Sequence, residues 1–128
     1  MRIHLASLYV DDQIKALRFY TEVLGFVLKA QDPPGAGTWL TVVSADEPDG
    51  PQLLLEPESH RAIAPFKRAL FDDRVPFASF EVDDVVAEYE RFVALGVKFL
   101  RPPIDTGSAI IAQLDDTCGN LIQLTQER

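Results

Sequence analysis

Imidazole and thiol side chains, the commonest metal ligands and activated nucleophiles, are scarce in this chain. There are two histidines, His4 and His60, and one cysteine, Cys118. Catalytic zinc normally keeps three protein ligands, and non-haem iron commonly keeps two histidines and a carboxylate. One cysteine allows neither an internal disulfide nor a thiolate cage, and no feature near Cys118 would activate its thiol. The remaining candidates are Glu56, Gln123 and Trp39. A carboxylate at Glu56 can act as a general base if burial raises its pKa, hold a cationic ligand, or stand solvated before Pro57. Gln123 can hydrogen-bond a ligand, and Trp39 can form an aromatic wall or fill a core.

Composition narrows the classes. A length of 128 residues suits one domain that buries about two-thirds of its surface. A hydrophobic fraction of 47% with 25% charged residues excludes a disordered chain. Twenty acidic residues against twelve basic ones give a net charge of −8, which argues against nucleic acid or anionic membrane as partner. No apolar run approaches the roughly 20 residues of a membrane span, and Met1-Arg2-Ile3-His4 does not open a signal peptide, so a cytoplasmic protein is expected.

The elements that must position these residues come in two copies. Leu8-Tyr9-Val10-Asp11-Asp12 leads to Leu24-Gly25, and Phe80-Glu81-Val82-Asp83-Asp84 leads to Leu95-Gly96, offset by 72 residues at the aspartates. Each copy opens with period-two alternation, a strand. A helix follows, its buried stripe expected at Ile14, Leu17 and Thr21 or Val86, Tyr89 and Val93, with Tyr20 and Phe92 adding to the same stripe. One Asp of each pair is the natural N-cap, and each glycine the natural C-terminal stop. Strands are then expected at Val27–Ala30, Trp39–Ser44 and Gln52–Glu56, and at Lys98–Leu100, Ala109–Leu114 and Leu121–Thr125. The nine prolines, including Pro33, Pro34, Pro102 and Pro103, mark connections. Ile63, Phe66 and Leu70 predict a linker helix starting near Pro65. The fold class is therefore α+β: two tandem βαβββ modules, about 1–57 and 76–128, joined by a segment of about 58–75 in a single domain.

Side-chain parity follows from covering one sheet face with helices. The wholly apolar sets (Ala6, Leu8 and Val10; Leu53 and Leu55; Ala78, Phe80 and Val82; Ile122 and Leu124) belong beneath them. The other face receives Leu5, Ser7 and Tyr9, then Gln52, Leu54 and Glu56, then Phe77, Ser79 and Glu81, then Leu121, Gln123 and Thr125.

The runs Phe19-Tyr20-Thr21-Glu22-Val23-Leu24-Gly25-Phe26, Leu95-Gly96-Val97 and Asp115-Asp116-Thr117-Cys118-Gly119-Asn120, set in this repeat, resemble the vicinal oxygen chelate superfamily of glyoxalases, bleomycin-resistance proteins and extradiol dioxygenases. The resemblance spans nearly the whole chain. It implies modules whose open sheets curl around a cavity, and a homodimer. It also implies that metal-dependent members take one ligand from the first and one from the last strand of each module. Those positions fall on Leu5, on Phe77, on Gln123, and on either Leu54 or Glu56. Leu5 and Phe77 cannot coordinate, so no metal or other cofactor is expected. The leading expectation is a bleomycin-resistance-like protein that binds a small organic molecule through Leu5, Ser7, Trp39, Leu54, Glu56, Phe77, Ser79 and Gln123. The alternative is a metal-dependent or metal-free lyase, isomerase or dioxygenase of the same superfamily. No catalytic residue is identified.

Overall fold

The helix termini show how the local sequence sets each module. Asp12 Oδ1 accepts hydrogen bonds from the backbone N–H groups of Ile14 and Lys15, both at 3.0 Å, and Asp84 Oδ1 accepts one from Ala87 N–H at 3.0 Å. Both aspartates therefore cap helices. At the far ends Phe26 N–H donates to Tyr20 O and Val97 N–H to Phe92 O, each at 3.0 Å, across Gly25 and Gly96 at φ +88° and +89°. Such a closure needs the left-handed conformation that glycine adopts without penalty.

The computed structural model describes residues 1–32 and 39–128. Pro33 and Pro34, expected in a connection, lie outside the described residues. The chain divides into two units, Met1–Ala64 and Pro65–Arg128. The first holds β1 (Leu5–Val10), α1 (Gln13–Arg18) running into a π-helical turn at Phe19–Val23, β2 (Val27–Asp32), β3 (Trp39–Val43) and β4 (Gln52–Pro57). Helix α2 (Ile63–Asp72) leads into the second, which continues with β5 (Ala78–Glu81), α3 (Val85–Ala94), β6 (Phe99–Asp105), β7 (Ala109–Asp115) and β8 (Leu121–Glu127). Each unit folds its four strands in the same order, β1-β4-β3-β2 and β5-β8-β7-β6. The first pair of each sheet is parallel and the others antiparallel. This is the expected α+β pair of βαβββ modules.

Three expectations need correction. The helix stripes are rotated: Ile14, Val86 and Val93 are 41%, 45% and 48% exposed. Tyr20 and Phe92 are buried as expected, and the other buried positions are Ala16 and Phe19 in the first module and Val85 in the second. Val85 and Phe92 are seven apart, two turns of helix, and Tyr89 meets Phe99 edge-to-face at 4.7 Å. The large rings take the deep positions, and their neighbours turn outward by one residue. Strand β6 continues through Pro102 and Pro103 rather than ending before them. It lies at the sheet edge and shifts register twice, so the two missing N–H donors break no regular ladder. Helix α2 begins at Ile63, two residues before Pro65, and its buried residue is Lys67, while Phe66 is 49% exposed.

Candidate functional site

Strand register assigns each candidate to a face. In the first unit Leu5 pairs with Gln52, Ser7 with Leu54 and Tyr9 with Glu56. Thr41 pairs with Leu54, which places Trp39, two residues earlier, on the same face. The opposite face carries Leu8, Val10, Val42 and Leu55, all fully buried. Helix α1 belongs to that side, where Gln13 Nε2 donates to Leu55 O at 2.7 Å. Leu5, Ser7, Trp39, Leu54 and Glu56 thus share one helix-free face. Leu54 is buried, Leu5 and Glu56 are half-buried, Ser7 is exposed, and Trp39 is 43% exposed.

In the second unit Ser79 pairs with Gln123 and Glu81 with Thr125. Phe77 sits one residue ahead of β5 and extends its ladder, donating its N–H to Leu121 O at 2.8 Å. Its half-buried ring meets Phe66 of α2 edge-to-face at 6.1 Å. Phe77 and Phe66 therefore form an aromatic pair between the start of β5 and α2. Helix α3 covers the other face through Phe92, whose ring lies 6.5 Å from Phe99, the register partner of Leu114.

Two further residues face the same way as these sets. Thr41 is fully buried, and its Oγ1 has no hydrogen-bond partner among the described residues. Gln113 is 8% exposed, pairs with Gln123 and donates from Nε2 to Gln123 Oε1 at 3.2 Å. Thr41 and Gln113 stand 72 residues apart, the offset of the Asp pairs, so they are the same position in the two copies. The sequence signal was a lone polar residue within an apolar strand.

Neither histidine reaches these faces. His4 precedes β1, where its carbonyl accepts from Gln52 N–H at 2.9 Å. It borders a surface depression of about 730 Å³ between residues 1–4 and 49–51. His60 Nδ1 accepts from Ala62 N–H at 3.1 Å and ends the loop before α2. Cys118 is buried and forms no disulfide. Among the described residues no group of three His, Cys, Asp or Glu is placed to hold a metal ion.

With this geometry in hand, comparison places the chain. The profile of the Glyoxalase/Bleomycin resistance protein/Dioxygenase superfamily matches residues 2–124. The chain belongs to this superfamily. It is 45% identical over 127 residues to the uncharacterised protein YurT of Bacillus subtilis (strain 168), covering 99% of this chain and all of YurT. Among solved structures, UcmS2 aligns with a TM-score of 0.83 at 28% identity, over 99% of this chain and 98% of its own. TnmS3, an antibiotic binding protein from Streptomyces sp. CB03234, aligns with a TM-score of 0.80 at 30% identity, over 100% and 97%.

Membership raises the question of a metal, and the strand register narrows the donor set. Ser7 faces Leu54 as Ser79 faces Gln123, so Leu54 corresponds to Gln123. Glu56, opposite Tyr9, corresponds to Thr125, opposite Glu81. On this correspondence, the four positions that the resemblance implies for metal ligands are Leu5, Leu54, Phe77 and Gln123. Three hydrocarbon side chains and one neutral amide leave a single protein donor, which does not fit a site for zinc, iron or another transition metal that keeps three protein ligands. No helix among the described residues is long and apolar enough to cross a membrane.

Proposed function

We propose that this chain binds a small organic molecule against the helix-free faces of its sheets, without a metal, and that it does so as a homodimer. The observation that carries the reading is the composition of those faces. Leu5, Leu54, Trp39 and Phe77 supply apolar side chains, Gln113 and Gln123 supply neutral amides, and Ser7, Glu56, Ser79 and Arg101 supply polar and charged groups at the more exposed positions. Such a mixture suits an organic guest, whose apolar body is desolvated while a few hydrogen bonds orient it. The antibiotic binding of TnmS3, at 30% identity, supports the same reading. Association is supported by the edge strand β2, which exposes Val27 and Leu28 at 44% and 46%. Light scattering is expected to give twice the mass of one chain; the mass of a single chain at micromolar concentration would refute the dimer.

Trp39 is the only tryptophan, so its emission reports on one face alone. Compounds found by thermal-shift screening and confirmed by calorimetry are expected to quench Trp39 and shift its emission to the blue. Trp39→Ala is expected to weaken their binding by about 0.5–1.5 kcal/mol, the range for aromatic contacts, with little loss of stability because the ring is 43% exposed. Calorimetric binding with unchanged emission, and unchanged affinity in the variant, would place the guest elsewhere.

A further inference from the structure

The Gln113–Gln123 pair sets a nearly buried amide against a half-buried one on the helix-free face of the second sheet. Gln113 lies on β7, flanked on both sides by strands, and is 8% exposed. Its neighbours on the same face include Ile111 on its own strand and Leu121 on the next. Burying a neutral amide is costly unless its donors and acceptors are satisfied. Here a single bond links Nε2 of Gln113 to Oε1 of Gln123 at 3.2 Å, and neither amide makes a second hydrogen bond among the described residues.

Each amide carries two N–H donors and a carbonyl with two lone pairs. One shared bond therefore leaves the carbonyl of Gln113 and the NH₂ of Gln123 without a protein partner among the described residues, on two residues that are register partners. Rotating both amides exchanges their roles and leaves the same complement, one donor next to one acceptor. Exposed Ser79 and Arg101 stand in register on either side, so the row reads Ser79–Gln123–Gln113–Arg101 across the sheet. In the first unit, the position equivalent to Gln113 holds Thr41, with its own buried and unpartnered hydroxyl.

We propose that the Gln113–Gln123 pair is a recognition element for a neutral ligand edge that carries an N–H or O–H donor beside a carbonyl, as in a lactam or a cyclic amide. The carbonyl of such a ligand accepts from Gln123 Nε2, while its N–H donates to Gln113 Oε1. The pair carries no charge, so it selects by hydrogen-bond pattern. An analogue lacking the donor leaves the carbonyl of Gln113 desolvated and unpaired. This deepens the small-molecule reading above and rests on it.

The test uses the matched probes 2-quinolone and N-methyl-2-quinolone, with the full-length protein labelled with ¹⁵N. The first probe is expected to bind about tenfold tighter, equivalent to ~1.4 kcal/mol, and to shift the side-chain NH₂ signals of Gln113 and Gln123. In Gln113→Met and Gln123→Met, which nearly conserve volume, the preference is expected to fall below about twofold, with the spectra confirming the fold. Equal affinity for both probes, unmoved amide signals, or a preference that survives in both variants would overturn the proposal. If the probes bind and move other signals only, this proposal fails while small-molecule binding stands. If neither probe binds at millimolar concentration, the proposal also fails, and Trp39 titration with the screened compounds then decides small-molecule binding separately.

Discussion

Asp116→Ala is expected to destabilise the protein by about 3–5 kcal/mol, lowering Tm by about 10 °C or more. The carboxylate is fully buried in the turn between β7 and β8. Its Oδ1 accepts from Cys118 N–H at 2.7 Å and from Asn120 N–H at 3.0 Å, and its Oδ2 accepts from Asn120 Nδ2 at 2.8 Å. Hydrogen bonds to a charged acceptor are worth about 1.5–3 kcal/mol each, and the truncation leaves buried donors without partners. The same turn is tied to α2 by Lys67, whose Nζ donates to Cys118 O at 2.6 Å. Asp116→Asn keeps an acceptor oxygen and should lose roughly half as much. Urea unfolding of the three proteins checks this; a loss below about 1 kcal/mol in the alanine variant would mean that the network does not hold the hairpin.

Phe92→Ala is expected to cost about 3–5 kcal/mol, whereas Val93→Ala and Val86→Ala should stay within about 0.5 kcal/mol of the parent. Phe92 is 2% exposed and stacks on Phe99, with the Arg91 guanidinium 4.4 Å from its ring centre. Removing the ring forfeits both transfer free energy and the contacts of the cavity left behind. Val86 and Val93 point away from the sheet and lose little burial. The comparison reads the rotation of α3 directly. Equal losses at positions 92 and 93 would restore the stripe that hydrophobic spacing alone suggests.

That stripe shows where the sequence is ambiguous. Valines at 85, 86 and 93 satisfy helical spacing on two adjacent faces, and hydrophobicity does not distinguish them. What decides is volume: the ring of Phe92 reaches Phe99 across the sheet, and the helix turns to accommodate it. The strands were more legible because a one-residue slip would reverse every side chain. Alternation in Leu5–Val10 and Ala78–Val82 therefore assigned faces that the register reproduces. The paired aspartates and glycines marked both helices because caps depend on local chemistry alone.

The candidate site was legible in outline. Parity grouped Ser7 with Leu54 and Ser79 with Gln123, but it could not choose between Leu54 and Glu56, which share a face. Cross-strand register makes that choice, since Leu54 stands opposite Ser7 as Gln123 stands opposite Ser79. Thr41 and Gln113 lie on strands that the metal-ligand positions do not include. Their significance emerges only from burial and from the hydrogen bonds they leave unmade.

Calorimetric titration of one confirmed compound, before and after exhaustive chelation and with elemental analysis of both samples, tests metal-free binding most directly. With Leu5, Leu54 and Phe77 at three of the four superfamily ligand positions, affinity should agree within about twofold between the two samples. Bound zinc, nickel, manganese and iron should be far below one equivalent per chain. Loss of binding on chelation, restored by one equivalent of a divalent cation, would contradict metal-free binding.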